Sequence, residues 1–89
     1  MPKLVIPPPL RGPTQGAATI EVGGATVRAC LAAADARFPG FGAQLLTPRG
    51  ETHRFVRLFL NGASLFAADL DRPVEAKDEI TILAAIAGG

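Results

Sequence analysis

A single cysteine and a single histidine stand in a chain of 89 residues, and neither sign of charge prevails. Cys30 alone forms no intrachain disulfide and cannot supply the several thiolates of a zinc cluster. A lone thiol fits a reducing compartment, so a cytoplasmic location is expected. Nine basic against eight acidic side chains leave a net charge of +1. A nucleic-acid binder draws its affinity from a dense basic face, so no nucleic-acid partner is expected. Long apolar runs are missing as well. Nothing approaches the ~20 residues of a membrane-spanning helix, and Pro7-Pro8-Pro9 interrupts the first apolar stretch, as it would not in a signal peptide. No membrane partner is expected.

What is present is 48% apolar and 19% charged, the balance of a globular domain rather than a disordered chain. The length allows one domain with a small core and modest stability. Leu4-Val5-Ile6 is a short strand that the prolines must end, because proline cannot donate to a sheet ladder. Residues 11–16 read as a loop, and Ala18-Thr19-Ile20-Glu21-Val22 alternates as a half-buried strand does. After Gly23-Gly24, Thr26 is a candidate N-cap for a helix over residues 27–38. Val27, Cys30, Leu31, Ala34 and Phe38 form one stripe at helical period, and Pro39-Gly40 stops it. Residues 41–52 are mixed, with Leu45 and Leu46 as core candidates and no helix assigned. A further strand runs from Phe55 to Leu60 and ends at Asn61-Gly62, the strongest short turn signal in the chain. Ser64-Leu65-Phe66 is a brief strand, residues 70–73 and 76–78 read as surface turns, and Glu79-Ile80-Thr81-Ile82-Leu83 is the last strand. This order predicts an α+β fold: a mixed sheet of four to five strands with one main helix on one face, and the first and last strands side by side at its centre.

Catalytic side chains are hard to find. Cys30 sits in the apolar stripe, where a thiol behaves as a small core residue, and a nucleophilic cysteine needs exposure and an electropositive neighbourhood. His53 opens a strand beside Arg54, an ordinary place for a solvated imidazole. Asp69 and Asp71 flank Leu70 in a turn, and Gly40-Phe41-Gly42 lacks the third glycine and the preceding strand of a dinucleotide site. No catalytic residue and no metal ligand is assigned.

The unusual feature is Ala84-Ala85-Ile86-Ala87-Gly88-Gly89. It follows a strand directly, carries no charged side chain, and finishes in two residues that allow a partner's backbone close to the terminal carboxylate. Residues 1–84 are therefore expected to fold as a domain and residues 85–89 to serve as a flexible tail. Ala87, Gly88 and Gly89 would enter a partner. The carboxylate of Gly89 is ionised at neutral pH, with a reference pKa of about 3.3–3.7, and is inert to nucleophiles. Conversion to an acyl-adenylate makes AMP a leaving group that a sulfur nucleophile can displace, giving a thiocarboxylate. A domain this small does not also supply an ATP site, so it would be the substrate of a larger enzyme.

Four segments in this order resemble the ubiquitin-like sulfur carriers of the MoaD/ThiS family: Phe55-Val56-Arg57-Leu58-Phe59-Leu60-Asn61-Gly62, Leu70-Asp71-Arg72-Pro73, Asp78-Glu79-Ile80-Thr81-Ile82-Leu83, and Ala85-Ile86-Ala87-Gly88-Gly89. The resemblance spans nearly the whole chain. It implies a β-grasp fold, adenylation and thiocarboxylation of Gly89 by a ubiquitin-activating-type enzyme that uses ATP and a sulfur donor, and no cofactor bound by the chain itself. The segments Ile6-Pro7-Pro8-Pro9-Leu10-Arg11, Thr14-Gln15-Gly16 and His53-Arg54-Phe55-Val56 look closer to carriers that feed cysteine synthesis. Partners in that route would be a pyridoxal-phosphate cysteine synthase and a metallopeptidase. A molybdopterin-synthase small subunit, seated on its large subunit, is the alternative, as is a protein modifier with Lys3 and Lys77 available for self-linkage. One departure is Lys77, where many relatives have a turn glycine, so a turn of different shape is expected there. Strand alternation also turns Phe55, Arg57 and Phe59 outward beside Thr81 and Leu83. Phe55, Arg57, Phe59 and Leu83 are the expected partner-binding patch, since exposed aromatics beside arginine are typical of interface hot spots.

Overall fold

The computed structural model describes residues 1–84; residues 85–89, and with them the expectations for Ala87, Gly88 and Gly89, lie outside the described residues. The chain begins with β1 (Lys3–Val5), where Lys3 is exposed and Leu4 buried. Pro7 ends the ladder because it has no amide hydrogen, and Pro8–Leu10 closes as a single 3₁₀ turn. The loop that follows is internally tied. The buried Thr14 hydroxyl lies 3.3 and 3.1 Å from the carbonyls of Arg11 and Ala17, and Arg11 Nε donates to the Ile6 carbonyl at 2.9 Å. β2 (Thr19–Glu21) then returns antiparallel to β1, with Leu4 opposite Ile20.

Helix α1 (Val27–Arg37) starts where Thr26 places it, its hydroxyl accepting from the Ala29 amide at 3.0 Å. Val27, Cys30, Leu31 and Ala34 are buried as the stripe predicts, and Phe38 packs half-buried just past the end. Two more amides of the first turn find partners in the 70–73 segment: Val27 donates to the Arg72 carbonyl at 3.1 Å and Arg28 to the Leu70 carbonyl at 2.7 Å. That segment is not the simple surface turn expected. Leu70 is buried in the core, and its carbonyl turns back onto the helix.

Residues 41–52 differ from their reading as mixed chain. Phe41–Leu45 forms a second, short helix, α2, against α1. Gly40 enters it at φ 96°, a left-handed conformation that favours glycine, and the Asp35 carboxylate accepts from the Gly42 amide at 2.8 Å. Phe41 and Leu45 are buried, which is why a five-residue helix with one glycine before it and another inside it persists. Beyond it the chain turns through residues 46–52, with Leu46 bridged to Thr52.

β3 (Val56–Leu60) and β4 (Ala63–Leu65) form a hairpin through Asn61 and Gly62 at φ 50° and 88°, the pair of positive angles that Asn-Gly accommodates. β5 (Glu79–Ala84) completes a five-stranded sheet of order β2-β1-β5-β3-β4. It lies parallel to β1 and antiparallel to β3, so the first and last strands meet at the centre as expected. Lys77 stands in the turn before β5. Its backbone stays out of the left-handed region, and the turn closes by a 3.0 Å bond from Asp78 N to the Glu75 carbonyl and a 2.7 Å bond from Glu75 N to Asp78 Oδ2. One face of the sheet buries Leu4, Ile20, Leu58, Ile80 and Ile82 beneath α1. Each such aliphatic side chain contributes about 1.5–3 kcal/mol on burial, and together they form one continuous core.

Candidate functional site

β5 sets the position of the tail. Along its length it is bonded to β3, with Arg57 opposite Leu83 and Val56 opposite Ala84. On the other side it is bonded to β1 as far as Thr81. β5 is thus a central strand whose last described residue, Ala84, is paired on the β3 side, opposite Val56 at the start of that strand. The outer face of the sheet runs in rows toward that end of β5. Farthest away lie Glu21, Lys3 and Glu79; next come Thr19, Val5, Thr81, Phe59 and Ser64; nearest are Leu83 and Arg57. The row of three charged side chains thus lies farthest from the tail, and the nearest row pairs the apolar Leu83 with the cation Arg57.

Of the expected patch, Arg57 stands opposite Leu83 and Phe59 lies on the same face two residues further along β3. Phe55, in the turn before β3, is 44% exposed and Leu83 is 49% exposed; Arg57 is exposed and Phe59 half-buried. Phe66, which the sequence reading did not include, is the most exposed phenylalanine at 64%. Leu58 pairs with Leu65, the last residue of β4, and Phe66 follows in an extended conformation at φ −105° and ψ 174°, on the side of the chain opposite the buried Leu65. The signal was available. A two-residue turn after Leu60 fixes Phe59 opposite Ser64, and strand alternation then turns Phe66 to the same side as Ser64.

The candidate chemical groups elsewhere are occupied by structural work. Cys30 is fully buried, its Sγ 3.7 Å from the Gly24 carbonyl, and burial pushes its thiol pKa up, away from the thiolate a nucleophile needs. His53 Nε2 lies 2.9 Å from the Ala43 carbonyl, an oxygen that can only accept. Asp69 Oδ2 accepts from the Phe66 amide at 2.8 Å, and Asp71 Oδ1 accepts from Arg28 Nε at 3.0 Å in the single ion pair among the described residues. An apolar groove between α1 and α2, lined by Leu31, Ala32, Ala43 and Leu46, has only engaged polar groups on its rim: Arg28, Asp35 and His53. Among the described residues no three His, Cys, Asp or Glu side chains stand close enough to hold a metal, and no helix is long and apolar enough to cross a membrane.

A five-stranded mixed sheet, its central parallel pair formed by the first and last strands and one face packed against a main helix, is a ubiquitin-like β-grasp fold. The chain belongs to the ThiS family, whose model matches residues 12–89. The resemblance to ubiquitin-like sulfur carriers seen in the sequence is thereby borne out. The sulfur carrier protein CysO of Mycobacterium tuberculosis (strain ATCC 25618 / H37Rv) is 33% identical over 87 residues, 94% of each chain. Among solved structures, a chain of the Amycolatopsis orientalis BexX/CysO complex superposes with a TM-score of 0.89 at 33% identity, both chains being fully covered. Mycobacterium tuberculosis CysO gives a TM-score of 0.89 at 29% identity, covering 97% of this chain and all of that one. SAMP1 of Haloferax volcanii, at 23% identity and a TM-score of 0.78, shares the fold.

Proposed function

We propose that this protein is a sulfur carrier that bears sulfur as a thiocarboxylate on Gly89 and delivers it to cysteine synthesis. The observation that carries the reading is the likeness to CysO over 94% of both chains, together with a family match that runs through residue 89. The geometry supports it: the central strand β5 leads into the tail beside an apolar, arginine-bearing face. A ubiquitin-activating-type enzyme joins the Gly89 carboxylate to AMP from ATP and releases pyrophosphate. A sulfur nucleophile then displaces AMP and leaves the thiocarboxylate. The chain acts as carrier and cosubstrate, in a reducing cytoplasm, and the chemistry of activation lies in its partner. A pyridoxal-phosphate cysteine synthase takes the sulfur onto an activated serine, and a metallopeptidase releases the product. Ala87, Gly88 and Gly89 enter each partner, and Phe55, Arg57, Phe59 and Leu83, joined by Phe66, form the docking face.

Intact-mass measurement after co-expression with an adenylating enzyme and a sulfur donor tests this. The expected result is a gain equal to the difference between a sulfur and an oxygen atom, mapped to Gly89 and absent when Gly89 is deleted. An unmodified mass under those conditions would overturn the proposal. Capture of the cysteine synthase rather than a large molybdopterin-synthase subunit assigns the acceptor.

A further inference from the structure

Asn61, the only asparagine in the chain, precedes Gly62. The two occupy the tip of the β3–β4 turn, at φ 50° and 88°. In such a pair the following residue has no side chain to hinder its backbone nitrogen from reaching the asparagine carboxamide, and asparagine is among the thermolabile residues. Both atoms of this carboxamide are engaged. Oδ1 accepts from the Glu79 amide at 2.9 Å, and Nδ2 donates to Asp78 Oδ1 at 3.0 Å. The Asn61 amide in turn donates to the Glu79 carbonyl at 2.8 Å, and Asp78 Oδ2 holds the Glu75 amide at 2.7 Å. One side chain therefore fastens the β3–β4 turn to the first residue of β5.

We propose that Asn61 is a latent deamidation site, held closed by this latch and open to reaction only when the Asn61–Asp78 contact breaks. In the open form the Gly62 nitrogen attacks Asn61 Cγ, a C–N bond forms, the Cγ–Nδ2 bond breaks and ammonia leaves with the proton from Gly62. Water then opens the resulting succinimide at either carbonyl, giving aspartate or isoaspartate at position 61. The product cannot rebuild the latch. An aspartate there is ionised at neutral pH, has no hydrogen to offer Asp78 Oδ1, and sets a like charge against that carboxylate. An isoaspartate also lengthens the main chain by one carbon in a turn whose register depends on two residues. The modification therefore weakens the anchorage of the strand that leads to the tail, and it does so whatever the tail carries.

The test is ageing of the purified full chain at mildly alkaline pH, followed by intact mass and by peptide mapping of residue 61. The wild-type chain should deamidate many times more slowly folded than in urea. Asp78→Ala, shown by circular dichroism to be folded, should react at least about fivefold faster than folded wild type, the population change expected on losing a hydrogen bond of ordinary net strength. N61D, which keeps a side chain suited to the turn, should melt several degrees lower. Equal rates in native and denatured wild-type protein overturn the proposal without recourse to a variant. A folded Asp78→Ala that reacts no faster than wild type, or an unchanged melting point for N61D, overturns the latch.

Discussion

Gly24 has no room for a β-carbon. One built there would lie 2.6 Å from the Cys30 amide nitrogen and 2.8 Å from the Ala29 carbonyl carbon, both backbone atoms of α1. Gly24→Ala must therefore push the helix away from the end of β2, and it should destabilise the fold by about 1–3 kcal/mol in chemical denaturation. A stability within error of wild type would show that the helix relaxes freely. Nothing in the sequence distinguishes this glycine from Gly23, whose added β-carbon would meet only the tip of Met1 at 3.9 Å; the difference lies in how the helix approaches. Asp78 is a second residue whose role depends on placement. Hydrogen bonds from the Glu75 amide and the Asn61 carboxamide hold its carboxyl below the usual range. A depressed folded-state pKa means that the ionised form is favoured by folding. Its contribution is therefore present above the ordinary carboxylate pKa and lost as pH falls through the lower folded value. Wild type should thus be more stable than Asp78→Ala at neutral pH, with the gap closing below about pH 4. Urea midpoints measured across that range check the sign.

At the level of elements, what could be read in advance followed from periodicity and turn chemistry. The α1 stripe, the Thr26 cap, the Asn61-Gly62 turn and the alternation of β3 and β5 are all local patterns, and each stands in the structure where it was expected. Two features depended on tertiary contact and were not legible. Helix α2 has five residues, too few to show a period, and exists because Phe41 and Leu45 have core sites to fill. The 70–73 segment looks polar, with Asp71, Arg72 and Pro73, yet Leu70 is buried and the segment satisfies the helix N-terminus with two carbonyls. Phe66 belongs to this scale as well, since only the pairing of β4 with β3 places it on the outer face. Its exposure makes it the cleaner probe of the docking face than Phe59, which is half-buried and contributes to packing. Phe66→Asp should leave the melting temperature within a few degrees of wild type while lowering the rate of adenylation at limiting enzyme about tenfold or more, as truncation of a hot-spot aromatic does. Equal loss of stability and activation, or no loss of activation, would exclude the face from docking.

For the whole molecule, the proposed function assigns folding and chemistry to different parts of the chain. The core cluster draws on residues from Leu4 to Ile82, and β5 pairs with β3 through Ala84. Among the described residues every fully buried large side chain precedes Leu83 and joins one core, so a chain ending at Ala84 is expected to keep the stability of the domain. The proposed chemistry takes place on residues 85–89, and the sheet face only docks the partner that performs it. This separation is stronger than in an enzyme, where catalytic groups are built into the core and their removal disturbs packing. It also explains why the scarcity of reactive side chains was informative: Cys30, His53, Asp69 and Asp71 each serve the fold. A chain ending at Ala84 should therefore unfold at a urea midpoint close to that of the full chain, with the same slope, because it exposes the same surface on unfolding. It should accept no AMP and no sulfur. Competition then separates docking from chemistry. If the outer face alone supplies much of the affinity, the shortened chain will inhibit activation of the full chain at comparable concentration, and Phe66→Asp introduced into it will abolish that inhibition. A shortened chain that folds but never competes would place the affinity in the tail and remove the sheet face from the recognition step.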